Sequence, residues 1–121
     1  MAEITLFDGN GSPEAYIADD GDATIYMWDG TAVAYLHQEH VYGFNGAHLG
    51  WFDGGVVRDS KGAPVGFVKQ KCSKVTKVEP VKKVKKAIKV KSVRKVAPVR
   101  PVNKGSISSL PLEVFLVSGA K

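Results

Sequence analysis

The sequence predicts an all-β fold: four pseudo-symmetric β-hairpin repeats packed around a shared axis, followed by a basic extended arm and a short C-terminal docking helix or strand. Two repeats and a charge split support this prediction. An octet recurs four times as NGSPEAYI (10–17), DGTAVAYL (29–36), NGAHLGWF (45–52) and KGAPVGFV (61–68). A valine recurs at every third position later in the chain, within a lysine-rich segment. Internal repeats of this kind fix an architecture before any single residue does.

Each octet holds a turn-former, a glycine, a small residue, an aromatic and an aliphatic residue. The structural repeat positions are the four glycines Gly11, Gly30, Gly46 and Gly62 and the four aromatics Tyr16, Tyr35, Trp51 and Phe67. Since a chain this small has little else to bury, we expect these aromatics to belong to the core rather than to a ring that stacks bases or sugars.

A second short apolar run, rich in aromatic and β-branched residues, precedes each octet, as is typical of a half-buried strand. The intervening dipeptides Asp29-Gly30 and Asn45-Gly46 favour two-residue hairpin turns of type I′. The first and fourth units predict longer turns, at 8–11 and 59–62. Run, turn and octet together predict four hairpins.

Strand alternation predicts that Val33 and Tyr35 share one face, with Ala34 on the other. A small residue recurring at this strand position, as Gly50 and Gly66 do in later units, indicates that a large group approaches there. A domain of about 68 residues buries only about 60% of its unfolded surface, so we expect cover from elsewhere in the chain.

The segments IYMWDGTAVAYL and VYGFNGAHLGWF and the closing GAPVGF resemble the bacterial four-fold beta flower domain, a small repeat of four hairpins. The resemblance extends to the lysine-rich triplets and to the final PLEVFL. It implies the fold and no established activity. Glu14 departs from the pattern, because the other units have valine or leucine at its position.

Charge divides the chain into an acidic head and a basic arm. Residues 1–68 hold ten acids and two bases, whereas residues 69–104 hold fourteen bases and one acid. We therefore predict a β domain at 1–68, a basic arm at 69–104 and an apolar docking segment at 105–121. A single cysteine, Cys72, excludes an intramolecular disulfide. No apolar run predicts a membrane span and no signal peptide is evident, so we expect a cytoplasmic protein.

No motif predicts an enzyme, a catalytic residue, a cofactor, a metal site or a small-molecule substrate. His37, His40 and His48 lack the tight spacing of a zinc site. The acidic run at 19–22 lacks the alternating ligands and distal glutamate of a calcium loop. We interpret these residues as ordinary surface and turn groups, and Cys72 as an incidental thiol.

The valines of the arm recur with period three from Val75 to Val102. This period fits the three residues per turn of polyproline II and drifts on an α-helix. A short helix over 81–96 is the alternative. The sequence leaves three roles open for the arm. It is a flexible linker, or it docks along the acidic head of its own or another chain, or it binds nucleic acid or an anionic lipid surface. Its candidate polyanion contacts are Lys82, Lys83, Lys85, Lys86, Lys89, Lys91, Arg94 and Lys95.

The sequence thus favours a non-enzymatic structural or interaction module whose arm mediates self-association, as a homo-oligomer, or partner binding. The alternative function is a polyanion-binding protein.

Overall fold

The computed structural model describes residues 3–88, 90–103, 105–108 and 110–119. Eight antiparallel strands form a closed barrel in which every strand pairs with its sequence neighbours and β1 pairs with β8. The strands are β1 (Ile4–Phe7), β2 (Pro13–Ile17), β3 (Thr24–Met27), β4 (Ala32–His37), β5 (His40–Gly43), β6 (His48–Asp53), β7 (Val56–Arg58) and β8 (Pro64–Phe67). A 3-10 turn, Lys69–Lys71, follows β8, and a helix, α1 (Leu112–Val117), lies towards the C-terminus. The predicted all-β fold of four hairpins around a shared axis is confirmed.

The four hairpin turns all have the same geometry, which corrects the type I′ prediction. In the second turn, Met27 N–H donates to Thr31 C=O (2.9 Å) and Gly30 N–H donates to Met27 C=O (3.0 Å). The same pair of bonds recurs in the other three turns. Only the glycine has a positive φ, +92° at Gly30, whereas type I′ needs positive φ at both central residues. The chain uses a three-residue loop with a left-handed glycine instead.

A β-bulge at the same place in every hairpin gives the returning strand one extra residue. The extra residues are Glu14, Val33, Leu49 and Val65. Because a bulge shifts the alternation by one residue, Val33 packs in the barrel interior while Tyr35 packs in a separate outer cluster. The prediction that these two side chains share a face is therefore wrong.

The interior of the barrel is closed by α1. Leu112, Phe115 and Leu116 are buried in the same cluster as inward residues of the strands. A β-carbon at Gly66 would lie 2.9 Å from Leu112 Cδ1, and one at Gly50 would lie 3.0 Å from Phe115 Cζ. The recurring small residue thus makes room for a neighbouring group, as predicted: the Leu112 side chain of α1 at Gly66, and the Arg58 backbone together with Phe115 of α1 at Gly50. The C-terminal segment is a helix rather than a strand.

The two ends of the barrel differ. We call the end with the four hairpin turns the turn end, and the end with the connectors between hairpins the connector end. Asn45 N–H in the third turn donates to Gly119 C=O (3.1 Å), and Ser108 N–H donates to Pro64 C=O (2.8 Å). These bonds place α1 and the residues before it across the turn end. There they cover apolar surface of the barrel, as was expected for so small a domain.

Candidate interaction surface

The arm runs past the four hairpin turns in order, one turn for every nine residues. Val75 meets the first turn at Gly11, Val84 the second at Gly30, Val93 the third at Gly46 and Val102 the fourth at Gly62. In each turn a β-carbon added to the glycine would clash with the valine carbonyl oxygen. In the fourth turn these two atoms would be 2.6 Å apart. The four glycines therefore serve two purposes: they supply the positive φ of the turn and they leave room for the arm.

Backbone hydrogen bonds hold the arm at these turns. In the first three turns the glycine carbonyl accepts from an arm N–H two residues past the valine, with Lys77, Lys86 and Lys95 as donors at 2.9 Å each. Two further bonds run from Lys83 N–H to Trp28 C=O (3.0 Å) and from Ser92 N–H to Phe44 C=O (2.8 Å). Since these bonds use main-chain groups, they impose a register without specifying side chains.

One face of the arm points its cations at the barrel. Lys82 Nζ and Lys85 Nζ lie 2.9 and 2.6 Å from the carboxylate of Glu3. Arg100 Nη1 lies 3.0 Å from Asp53 Oδ2. The hydrogen bond from Lys85 lowers the pKa of the Glu3 carboxyl, and the same bond raises the pKa of Lys85. These pairs join the acidic head to the basic arm of the same chain.

The same cations cover the aromatics of the octet repeat. Lys82 Nζ lies 4.7 Å from the ring centre of Tyr16, and Lys91 Nζ lies 4.4 Å from that of Tyr35. Lys91 also pairs with Asp22 at 3.4 Å. A cation over an aromatic face is attracted by the ring quadrupole, typically by about 0.5–1 kcal/mol at exposed sites. The arm thus provides the lid under which these tyrosines are buried.

The repeated aromatics line the outer wall rather than the barrel interior. Tyr16 and Tyr35 are buried in an outer cluster with Tyr26, Tyr42 and Phe44. Burial raises the pKa of the Tyr16 hydroxyl, which has no hydrogen-bond partner among the described residues. Trp51 is also buried and Phe67 is half-buried. The three buried rings, those of Tyr16, Tyr35 and Trp51, therefore have no face free to stack on a base or a sugar.

The other two faces of the arm point away from the barrel. Its nine valines are between 87% and 95% exposed: Val75, Val78, Val81, Val84, Val90, Val93, Val96, Val99 and Val102. This set, together with the exposed Lys83, Lys86 and Lys95, is called the belt below. Exposure that repeats every third residue is expected of a chain with three residues per turn. The alternative helix over 81–96 does not form in the described residues of that range.

The predicted polyanion contacts therefore separate into groups. Lys82, Lys85 and Lys91 face the barrel, and Arg94 Cζ lies 6.0 Å from the ring centre of Tyr42. The three belt lysines are exposed. Lys89 lies outside the described residues.

The histidines form a small cluster beside the third hairpin. His40 Nδ1 and His48 Nε2 are 2.9 Å apart, and the ring centres of His48 and Trp51 are 4.7 Å apart. Burial and the charge of His40 lower the pKa of His48. In the described part of the chain, no three histidine, cysteine or acidic side chains converge as a metal site. Cys72 is half-buried and its thiol lies 3.7 Å from Asp8 C=O.

The model of the 4-fold beta flower protein family matches residues 4–116. The chain belongs to this family. No curated protein and no solved structure matches the chain. The family match includes the arm and most of α1, the parts that wrap and close the barrel. Among the described helices of this beta flower protein, none has the length and apolar character that crossing a membrane requires. The cytoplasmic location stays a prediction.

The valine period is plain in the sequence, whereas the register of the arm on the barrel depends on a second period, of nine residues. Aligned in nines, residues 74–104 are KVTKVEPVK, KVKKAIKVK, SVRKVAPVR and PVNK. Each nine has a valine at its second position and a lysine at its fourth, and the first three nines end in lysine or arginine. Three nines and the start of a fourth correspond to four hairpins. This second period is the signal that predicts docking on the chain's own head.

Proposed function

We propose that this protein is a non-enzymatic interaction module whose belt binds an acidic surface of a protein partner. In this proposal the barrel is the scaffold, the described part of the arm carries the belt, and α1 closes the barrel. The exposure of the nine belt valines is the observation that carries the proposal. An apolar side chain exposed at every third position round a barrel is unusual on a monomer's surface, and exposed apolar patches mark interaction sites.

The position of the lysines supports an acidic partner. Lys83, Lys86 and Lys95 are among the residues whose N–H groups bond the second and third turns, so their side chains start from fixed points. They alternate with the valines along the arm and therefore give a surface that is both apolar and cationic. Such a surface gains from apolar burial at the valines and from Coulomb attraction at the lysines.

A polyanion is the second candidate, and the exposure of the same three lysines favours it. Phosphate contacts need only the cations, so this function would leave the valines unused. For that reason the belt as a whole fits a protein surface better than a nucleic acid. The two functions differ in whether the valines contribute to binding.

The test compares two matched triple variants of the full chain. Lys83→Gln, Lys86→Gln and Lys95→Gln removes the belt cations, whereas Lys82→Gln, Lys85→Gln and Lys91→Gln removes the same charge from the face that contacts the barrel. The probes are the protein itself, measured by its mass in solution, and DNA, RNA and phosphatidylserine vesicles. A third variant, Val84→Ser with Val90→Ser and Val93→Ser, keeps every charge.

We expect the parent to self-associate. The belt lysine variant and the belt valine variant should each associate more weakly than the parent, and both should unfold at temperatures close to that of the parent. The barrel-facing variant should lower the unfolding temperature instead. Binding of nucleic acid that depends on the belt lysines and not on the valines would replace the proposal with the second candidate. A parent that binds none of the probes at low salt would overturn both.

A further inference from the structure

The four hairpins meet at four boundaries, and one of these boundaries is shorter than the others. β2 pairs with β3 over three residue pairs, β4 with β5 over four and β6 with β7 over three. Among the described residues, β8 pairs with β1 only at Phe67 and Phe7. We call this last boundary the seam. It joins the last strand to the first, so no connector between consecutive strands spans it.

The chain leaves the barrel wall soon after β8. β4 and β6 continue for two residues past the repeated aromatic, to His37 and Asp53, whereas β8 ends at that aromatic, Phe67. Val68 N–H still donates to Gly55 C=O (2.9 Å), and the 3-10 turn begins at the next residue. The described backbone after β8 therefore does not complete the seam as β4 and β6 complete their boundaries.

Thr5 is the β1 residue that this short pairing leaves without a strand beside it. Its counterpart in the second hairpin is Thr24, whose carbonyl accepts from Ala18 N–H (2.7 Å) across the first boundary. Lys69 is the counterpart of Ala18, and in the described part of the chain no such bond joins it to Thr5. In an antiparallel ladder the N–H and C=O of one residue point to the same side. Both main-chain groups of Thr5 therefore face the seam.

A cavity of about 510 Å³ lies at the seam, on the side of the connector end. Its lining includes residues 3–5 of the first hairpin and, after β8, Val68 and Lys69. Phe52 and Ile4 also line it, and both line a second cavity of about 240 Å³. Ile4 is 43% exposed. The seam thus places an open strand edge beside apolar side chains.

We propose that the seam is a docking site for an extended peptide segment of a partner protein, which adds to β1 as an antiparallel strand. An open strand edge is a template for another backbone, and pockets beside the edge select its side chains. An apolar side chain of the peptide packs against Ile4 and Phe52. The Thr5 main chain selects a peptide as the occupant, because an apolar small molecule would leave both of its groups without a hydrogen bond. The seam is separate from the belt, so this inference goes beyond the proposed function.

Two synthetic peptides test the proposal on the full chain. The probe has six residues, alternating valine and threonine, with both ends blocked. The control peptide has the same side chains and methylated amide nitrogens, so it cannot donate hydrogen bonds to a strand edge. At a probe concentration that occupies about nine-tenths of the chains, exchange of the Thr5 amide should slow about tenfold, since only the free fraction exchanges. The control peptide should leave that exchange unchanged.

Two variants test the apolar part of the contact. Ile4→Asp replaces an exposed apolar side chain and should weaken binding of the probe at least about tenfold. Val90→Asp is the matched control, because it makes the same kind of change on the arm at a residue that is 94% exposed. It should bind the probe like the parent. The belt lysine variant should also bind the probe like the parent, which separates this inference from the proposed function.

Three outcomes would overturn the inference. Equal binding of the two peptides would assign the cavity to apolar adsorption. Unchanged exchange of the Thr5 amide at every soluble concentration of the probe would show that the edge accepts no strand. Undiminished binding in Ile4→Asp would show that the peptide does not use the cavity. The first two comparisons are made on the parent chain, so they hold even if a variant fails to fold.

Discussion

Valine is the residue to compare between the barrel and the arm, because it has opposite surroundings in the two regions. In the barrel, Val41 is 0% exposed and Val57 is 1% exposed. In the arm, Val90 is 94% exposed and Val93 is 93% exposed. Hydrophobicity alone does not decide which of these is buried. Whether a valine is buried depends on the backbone conformation that carries it. It also depends on which face of that backbone contacts the rest of the molecule.

A strand has two faces, and closing the barrel gives each strand one interior face. The arm has three faces, and one is committed to the barrel. That face holds Lys82 and Lys91 rather than valine, because the outer wall presents tyrosine rings and carboxylates that attract cations. The valines then have no place against their own barrel, which is the origin of the belt.

The largest expected effect comes from shortening one valine in each region. Val57→Ala leaves a void among the interior side chains of the barrel and should cost about 2 kcal/mol of unfolding free energy. Val90→Ala should change the unfolding free energy by less than about 0.5 kcal/mol, because its side chain contacts mainly solvent. Chemical denaturation of the two variants beside the parent measures both numbers. Equal losses of unfolding free energy in the two variants would mean that the arm valines are buried in solution. The contrast between barrel and arm valines would then be wrong.

The barrel could be predicted from the sequence because its signals are local. Four turn glycines, four aromatics and the runs before them determine four hairpins. The bulge could not be predicted from these signals: Val33 and Tyr35 have the spacing of one face, and the extra residue follows from pairing with Ile25 and Tyr26. The type I′ turn was wrong for the same reason, since Asp29-Gly30 suits either loop and strand register decides between them.

An intermediate effect is expected at the turn glycines. Gly30 and Gly21 both have positive φ, +92° and +82°, but only Gly30 has the arm behind it. Gly21→Ala should cost about 1 kcal/mol from backbone strain alone. Gly30→Ala carries that strain and also pushes away the Val84 carbonyl, which weakens two neighbouring arm hydrogen bonds without breaking them, so its cost should lie between those of Gly21→Ala and Val57→Ala.

Amide hydrogen exchange distinguishes the two glycine variants. Gly30→Ala should speed exchange at the Lys83 and Lys86 amides, which donate to Trp28 and Gly30. Gly21→Ala should leave those amides as slow as in the parent. Unchanged exchange at Lys83 and Lys86 in Gly30→Ala would show that the arm does not rest on this turn in solution.

The interaction surface was only partly predictable, because its elements come from distant parts of the chain. Opposed charge in head and arm indicated docking, and it did so without a register. The register becomes visible only when the nine-residue period of the arm is matched with the four hairpins. This register explains why Lys82 faces Glu3 while its neighbour Lys83 faces solvent. Composition alone treats the two lysines as equivalent.

The smallest expected effect concerns acid stability at the third hairpin, where the arm passes the histidine cluster. Burial and the charge of His40 hold the pKa of His48 below 6.5 in the folded state. The unfolded chain therefore binds the proton more tightly, so stability is present above about pH 6.5 and is lost as pH falls through the folded pKa of His48. Thermal unfolding between pH 7 and pH 5 should show the loss.

His48→Ala should reduce this loss of stability at low pH. The second hairpin already has alanine at the equivalent position, Ala32. His37→Ala is the matched control, since His37 lies outside the bonded His40–His48 pair. An equal acid loss in His48→Ala and the parent would assign it to other groups.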